Sequence, residues 1–244
     1  MCTACGCGDT ELVPVEVHDR ILATNDRTAQ HNRAHFVEAG VLALNLMGSP
    51  GSGKTALLEA TAKAVKGSLR LGAVSGDLAT DNDAQRLRAS GIPSAAITTG
   101  QSCHLDAQLV HDALHDFAIN DLDVFVIENV GNLVCPAVYD LGQAANVVAL
   151  SVTEGEDKPL KYPVMFHKAD LVLLTKSDLL PHLDFNLAKL RDAVARVMPT
   201  AQTILFSART GEGVDAWLSW LRARLPQPNA SLPRHHTHAE APRG

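Results

Sequence analysis

The chain has 244 residues, 46% of them hydrophobic and 20% charged, with a formal net charge of −6. That length and balance suit one core-forming α/β domain with short additions. The negative charge excludes broad, sequence-independent nucleic-acid binding, and 4% aromatics leave few rings on which bases could stack. No apolar run is long enough to span a bilayer, and the N-terminal residues lack the basic stretch and apolar core of a secretion signal. A cytoplasmic location is therefore expected, with the five cysteines held as reduced thiols.

Residues 1–14 open with MCTACGCGDT, too small and glycine-rich to form a core, and are expected to be a Cys-rich metal-binding tail. From 15 to 36 the pattern is polar and helical, with Val17, Ile21 and Leu22 as sparse apolar points. Residues 41–47 (VLALNLM) form a buried-strand run that ends in a glycine-rich loop. A helix is expected over 53–65. Further strands are expected at 69–75, 94–98, 124–128, 147–152, 171–175 and 203–206. Helices are expected at 104–118, 187–197 and 214–225. Alternating strands and helices predict a three-layer α/β fold with a mostly parallel sheet and helices on both faces. Residues 15–226 are expected to form this domain, and the Pro-rich, polar stretch 227–244 is expected to be disordered.

Gly48-Ser-Pro-Gly51-Ser52-Gly53-Lys54-Thr55 matches G-x-x-x-x-G-K-[ST] between an expected strand and an expected helix, the setting that marks a phosphate loop. Glycines let backbone N–H groups converge on phosphate oxygens, and the helix N-terminus adds a favourable dipole. Lys54 supplies a charge for the β/γ-phosphates, and Thr55 a hydroxyl for Mg²⁺. Mg²⁺ needs more oxygens, and Asp77 and Glu128 are the candidates. Asp77 follows the second expected strand and can alternatively cap a helix. Glu128 ends a strand at the edge where ligands gather in parallel sheets. Glu128-Asn-Val-Gly131 resembles the D-x-x-G element of GTPases with Glu in place of Asp.

Thr175-Lys176-Ser177-Asp178 resembles the guanine-reading N-K-x-D element, with Thr at its first position. An Asp there accepts from the N1–H and exocyclic amine of guanine, a donor pair adenine lacks, so GTP is expected over ATP. The other reading is that this segment merely caps the structure beyond it. Ser207-Ala208-Arg209 resembles the S-A-K loop that closes over the base, with Arg for Lys.

Soft ligands fall in two clusters. Cys2, Cys5 and Cys7 lie in C-x-x-C-x-C, and Cys103-His104 can join Cys135, which sits just past Gly131. Thiolates and imidazoles suit Zn²⁺ or Ni²⁺. Cys135 is placed to move with a loop that senses the terminal phosphate, which would link metal affinity to nucleotide state. On one continuous helix, His104, His111 and His115 would fall within roughly 40° of each other. A shared ion on His111 and His115 is the weaker reading beside ordinary solvated histidines. His235, His236 and His238 form a short histidine tract of the kind that holds metal loosely.

Together MCTACGCG, LMGSPGSGKT, SGDLATDNDAQR, TGQSCHLDA, ENVGNLVCPA and SVTEGEDKPLKYPVMFHKADLVLLTKSDL resemble the HypB family, GTPases that assist nickel insertion into [NiFe]-hydrogenase. The resemblance implies a SIMIBI-class P-loop GTPase fold that hydrolyses GTP to GDP and phosphate. It implies a GTP-favoured homodimer with Cys103, His104 and Cys135 near the subunit interface, and a tighter nickel site at Cys2, Cys5 and Cys7. It also implies a HypA-like nickel accessory protein and the hydrogenase large-subunit precursor as partners. Two alternatives stay open: a nucleotide-regulated nickel/zinc storage protein with little hydrolysis, and a relative serving another nickel or cobalamin enzyme.

Overall fold

The computed structural model describes residues 15–100, 102–200 and 202–226, with side chains from Leu22 onward. Residues 1–14 and 227–244, which carry Cys2, Cys5, Cys7 and the histidines at 235, 236 and 238, lie outside the described residues.

The elements follow the order α1 Val15–Ala39, β1 Leu42–Met47, α2 Lys54–Val65, β2 Leu71–Asp77, α3 Asn82–Ala89, β3 Ser94–Thr98 and α4 Ala107–Leu114. They continue with β4 Val124–Glu128, β5 Ala145–Ser151, α5 Lys158–Lys161, α6 Pro163–His167, β6 Leu171–Thr175, α7 Leu187–Val197, β7 Gln202–Phe206 and α8 Val214–Arg222. Among the described residues the seven strands form one sheet in the order β3-β2-β4-β1-β5-β6-β7, with every pairing parallel.

Alternation along the strands builds a core on each face. Leu42, Leu44 and Leu46 of β1 join Leu57 and Leu58 of α2, Leu87 of α3 and Trp217 of α8. On the opposite face Val41 and Ala43 meet Phe36 of α1 and Val110 of α4, while Met47 meets Met165 of α6 and Leu190 of α7. Strands covered on both sides read as continuous apolar runs, and β1, β4 and β6 are buried at every position.

Several boundaries differ from the expected ones. β2 runs to Asp77, so that carboxylate ends the strand instead of following it. The expected 104–118 helix shrinks to Ala107–Leu114, because Asp106 caps it by accepting from the Leu109 N–H at 2.8 Å. His104 therefore does not share a helical stripe with His111 and His115. Helices α3, α5 and α6 had no clear apolar period, being short or mostly polar.

α1 holds the domain through a half-polar stripe. Asn25, Ala29, Asn32 and Phe36 are buried at helical spacing. Asn25 accepts from the Ala107 N–H at 2.9 Å and donates to the Asp140 carbonyl at 2.8 Å. These contacts fasten α1 to the start of α4 and to the loop before β5.

Leu105 sits between the cap of α4 and the end of β2. It is fully buried, and a β-carbon at Gly76 would lie 2.9 Å from its Cγ. Leu105→Ala is expected to cost about 2–5 kcal/mol of stability by opening a cavity there. Urea unfolding should show a lower midpoint at unchanged slope.

Candidate functional site

The C-terminal ends of the parallel strands bring the predicted residues to one edge. Pairing places Glu128 beside Leu46 of β1 and Ser75 of β2, and Thr175 beside Ser151 of β5 and Phe206 of β7. A cleft of about 460 Å³ at this edge is lined by Gly51, Lys54, Thr55, Asp77, Asp83 and Glu128 among others.

The loop 48–55 wraps back on itself. Lys54 is buried, and its ammonium donates to the carbonyls of Gly48 and Ser49 at 3.3 and 3.2 Å. Burial lowers the Lys54 pKa, and Glu128, Asp83, Glu154 and Asp77 pull it back up. Ser49 donates to Glu154, which caps the turn after β5 by accepting from the Ser151 N–H.

Thr55 stands between two carboxylates. Its Oγ1 lies 2.7 Å from Glu128 Oε1 and 2.9 Å from Asp83 Oδ1. A hydroxyl has one proton and can satisfy only one of them. Glu128 Oε2 is buried and makes no hydrogen bond among the described residues. Burial raises the Glu128 pKa first of all; Thr55 and Lys54 act against it, and Asp83 adds to it. This oxygen cluster is short of positive charge, and a hard divalent cation coordinated by oxygen would supply it. No sequence motif marks Asp83. Its signal was its place in the first turn of α3, facing the loop. Arg86, one turn on, lines the same cleft and pairs with Asp83 at 3.3 Å and Glu59 at 2.8 Å. Asp77 also lines the cleft, but its Oδ1 accepts from the N–H groups of Ala79 and Thr80 at 2.9 and 3.0 Å. Those bonds hold its pKa below the usual value.

Segments 175–178 and 207–212 lie side by side at the far end of the edge. Thr175 Oγ1 donates to the Ser52 carbonyl at 2.5 Å, so the threonine that replaces Asn ties β6 to the phosphate loop. Lys176 adopts a left-handed conformation at φ 57°, which swings the chain into the turn carrying Asp178. Ser207 is fully buried and donates to Asp178 Oδ1 at 2.6 Å, while Ser177 donates to Glu212 Oε2 at 2.6 Å. Ala208 and Arg209 are exposed in the turn between them.

The thiol cluster forms beside the cleft. The ligand atoms of Cys103, His104 and Cys135 lie within 4.8 Å of one another, with the two sulfurs 3.0 Å apart. His104 is buried and stacked on Tyr139, with ring centroids 4.0 Å apart. Burial lowers its pKa, which keeps the imidazole neutral and fit to ligate. Segment 128–135 joins the cluster to the phosphate loop. The Asn132 N–H donates to the Gly48 carbonyl at 3.2 Å, and its Nδ2 donates to the Cys103 carbonyl at 3.3 Å. A β-carbon at Gly131 would lie 2.9 Å from Pro50 Cα, so the two loops touch backbone to backbone.

Because the native pKa of Glu128 is raised, its stabilising effect is complete below its ordinary value of 4.5 and is lost as pH climbs through the elevated native value. In nucleotide-free protein with chelator, Glu128→Gln is expected to raise Tm. The gain should be smallest at about pH 5 and largest at about pH 8. Calorimetry across that range checks it, and a gain independent of pH would contradict the assignment.

The family model for the CobW/HypB/UreG nucleotide-binding domain matches residues 42–205. The hydrogenase maturation factor HypB of Rhizobium leguminosarum bv. viciae is 54% identical over 207 residues, covering 85% of this chain and 69% of that protein. The crystal structure of hydrogenase maturation factor HypB from Archaeoglobus fulgidus superposes with a TM-score of 0.78 at 40% identity, over 84% of this chain and 100% of that one. HypB from Helicobacter pylori, crystallised in complex with nickel, gives a TM-score of 0.78 at 38% identity, over 85% and 99% of the two chains. The family model and these relatives match most of the chain, which belongs to the HypB family of hydrogenase maturation factors.

Proposed function

We propose that this chain is a GTP-hydrolysing metallochaperone that binds nickel or zinc and assists nickel insertion into [NiFe]-hydrogenase. The observation that carries the reading is the continuity of segment 128–135. One end holds a buried carboxylate against the phosphate-loop threonine, and the other brings Cys135 to Cys103 and His104. The relatives' names and the nickel-bound Helicobacter pylori structure support the hydrogenase and nickel parts.

In this reading Gly48, Gly51, Ser52, Gly53, Lys54 and Thr55 hold the phosphates of GTP. Thr55, Glu128 and Asp77 were the candidate Mg²⁺ ligands, and the geometry adds Asp83 beside Thr55. Mg²⁺, when bound, neutralises the phosphates and the developing charge. Water attacks the γ-phosphorus, the bond to the β-phosphate oxygen breaks, and GDP and phosphate leave. Lys54 stabilises the charge that develops on the transferred group. Asp178 accepts from guanine, Lys176 lies along the purine, and Thr175, Ser207, Ala208 and Arg209 shape the base site. Nickel is cargo: Cys103, His104 and Cys135 bind it in the domain 15–226, and Cys2, Cys5 and Cys7 bind it in the tail 1–14. Partners are a second copy favoured by GTP, a HypA-like accessory protein and the hydrogenase large-subunit precursor, all in the cytoplasm.

Three measurements test this. Lys54→Ala should lower GTP turnover by about 10²–10³-fold, whereas turnover at the wild-type rate would remove the phosphate loop from the mechanism. Asp178→Ala should reduce the preference for GTP over ATP by at least about 100-fold, because the acceptor that adenine leaves unpaired is gone. Nickel affinity measured with GDP and then with a GTP analogue should differ in the wild type and lose most of that difference in Cys135→Ala. Equal affinities in the wild type would leave a guanine-nucleotide hydrolase without a delivery switch.

A further inference from the structure

The N-terminal helix and α4 bring a second group of ligands together, none of them a cysteine. His31 and His35 lie one turn apart on α1, and His111 faces them from α4. One ring nitrogen from each lies within 4.8 Å of the other two. Ring centroids are 4.3 Å apart for His31 and His35, and 5.1 Å for His31 and His111. His115 stands at the rim, 5.3 Å from His111.

Asn32 fixes the ring at the centre of the group. It is fully buried, and its amide nitrogen donates both hydrogens, to the Ala107 carbonyl at 2.8 Å and the Leu141 carbonyl at 3.2 Å. Its Oδ1 is therefore an acceptor, and it lies 3.0 Å from His111 Nδ1. That nitrogen must carry the proton, which leaves Nε2 with the lone pair a metal needs. Burial and the neighbouring His31, His115 and His35 all lower the His111 pKa, with Asp112 opposing them.

We propose that His31, His35 and His111 form a divalent transition-metal site that is free of thiolate and separate from the Cys103, His104 and Cys135 cluster. Three imidazoles leave a fourth position for water or for His115, and suit a borderline ion such as Zn²⁺ or Ni²⁺. Metal–nitrogen bonds of about 2.0–2.1 Å require the rings to draw inward, which the exposed side chain of His31 allows. A bound ion would pin α1 to α4, whose chain runs back through its Asp106 cap to His104. The inference stands on the imidazole geometry alone and does not depend on nucleotide hydrolysis.

The test is zinc titration by calorimetry on the full chain, comparing wild type with His31→Asn, His31→Asn/His35→Asn and His111→Asn. The thiol sites are common to all four proteins, so the comparison isolates the imidazoles. The double variant and His111→Asn are each expected to bind one zinc equivalent fewer than wild type, and the exposed-site variant His31→Asn to bind that equivalent at least about 10-fold more weakly. Cobalt(II) serves as a second probe. The thiolate-to-cobalt absorption should persist in every variant while the cobalt stoichiometry falls by one in the double variant. Zinc should also raise the Tm of wild type more than that of His31→Asn, which keeps the buried packing of α1. Equal zinc stoichiometry and equal affinity in wild type and all variants would overturn the proposal.

Discussion

Thr55 has one hydroxyl proton to offer and two carboxylates beside it. Much of the cleft's chemistry follows from that shortage. Glu128 ends a strand buried at every position, so its charge is poorly solvated and its pKa rises. Lys54 is close enough to act on that charge, but it is itself buried, and it hydrogen-bonds loop carbonyls. A cluster of oxygens with too little positive charge is a poor way to stabilise a fold and a good way to bind a cation with its phosphates. Arg86 offsets part of the excess, but from a half-exposed position where solvent screens it.

The second constraint is how tightly segment 128–135 is held along its length. Asn129 is buried and ties β4 to its neighbours. Its Nδ2 donates to Asn45 Oδ1 at 3.1 Å, and its Oδ1 accepts from the Leu105 N–H at 3.2 Å. Asn45 in turn donates to Asn146 at 3.1 Å, so a polar thread crosses three strands just beneath the cleft. Asn132 then bridges the phosphate loop and the Cys103 loop. Buried amides of this kind are specific because leaving one unpaired costs about 1–3 kcal/mol. They set the register between the 48–55 loop and the cluster of Cys103, His104 and Cys135.

Much of this was legible in the sequence, for identifiable reasons. The strands were visible because two-sided burial writes continuous apolar runs such as VLALNLM, and the phosphate loop because its residue types are required by backbone geometry. Cys103, His104 and Cys135 come within 4.8 Å of one another. What stayed hidden depends on contacts between distant segments. Asp83 looked like one of several acids in SGDLATDNDAQR until α3 turned it toward Thr55. The asparagines of α1 looked like an ordinary polar helix face, yet they are its buried side. His111 pairs in sequence with His115, but its hydrogen-bond partner Asn32, 79 residues away, and its nearest ring, His31, come from α1. Periodicity along one helix cannot report a neighbour supplied by another.

The connector's rigidity also limits what kind of switch it can be. Gly131 lies against Pro50 with no room for a β-carbon, and Asn132 bonds to Gly48. A shift of the phosphate loop therefore displaces segment 128–135 as a body. Cys135 opens a short helical turn, Cys135–Ala137, and is buried, so its sulfur has little freedom to stay behind. Packed segments of this sort change between discrete arrangements and do not stretch. A ligand biases such an element only by its difference in affinity for the two arrangements, and the bias runs equally in both directions. An ion that prefers one spacing of Cys103 and Cys135 must then favour one state of the phosphate loop. In the proposed function, an architecture that let nucleotide govern the metal site would equally let the metal govern the nucleotide.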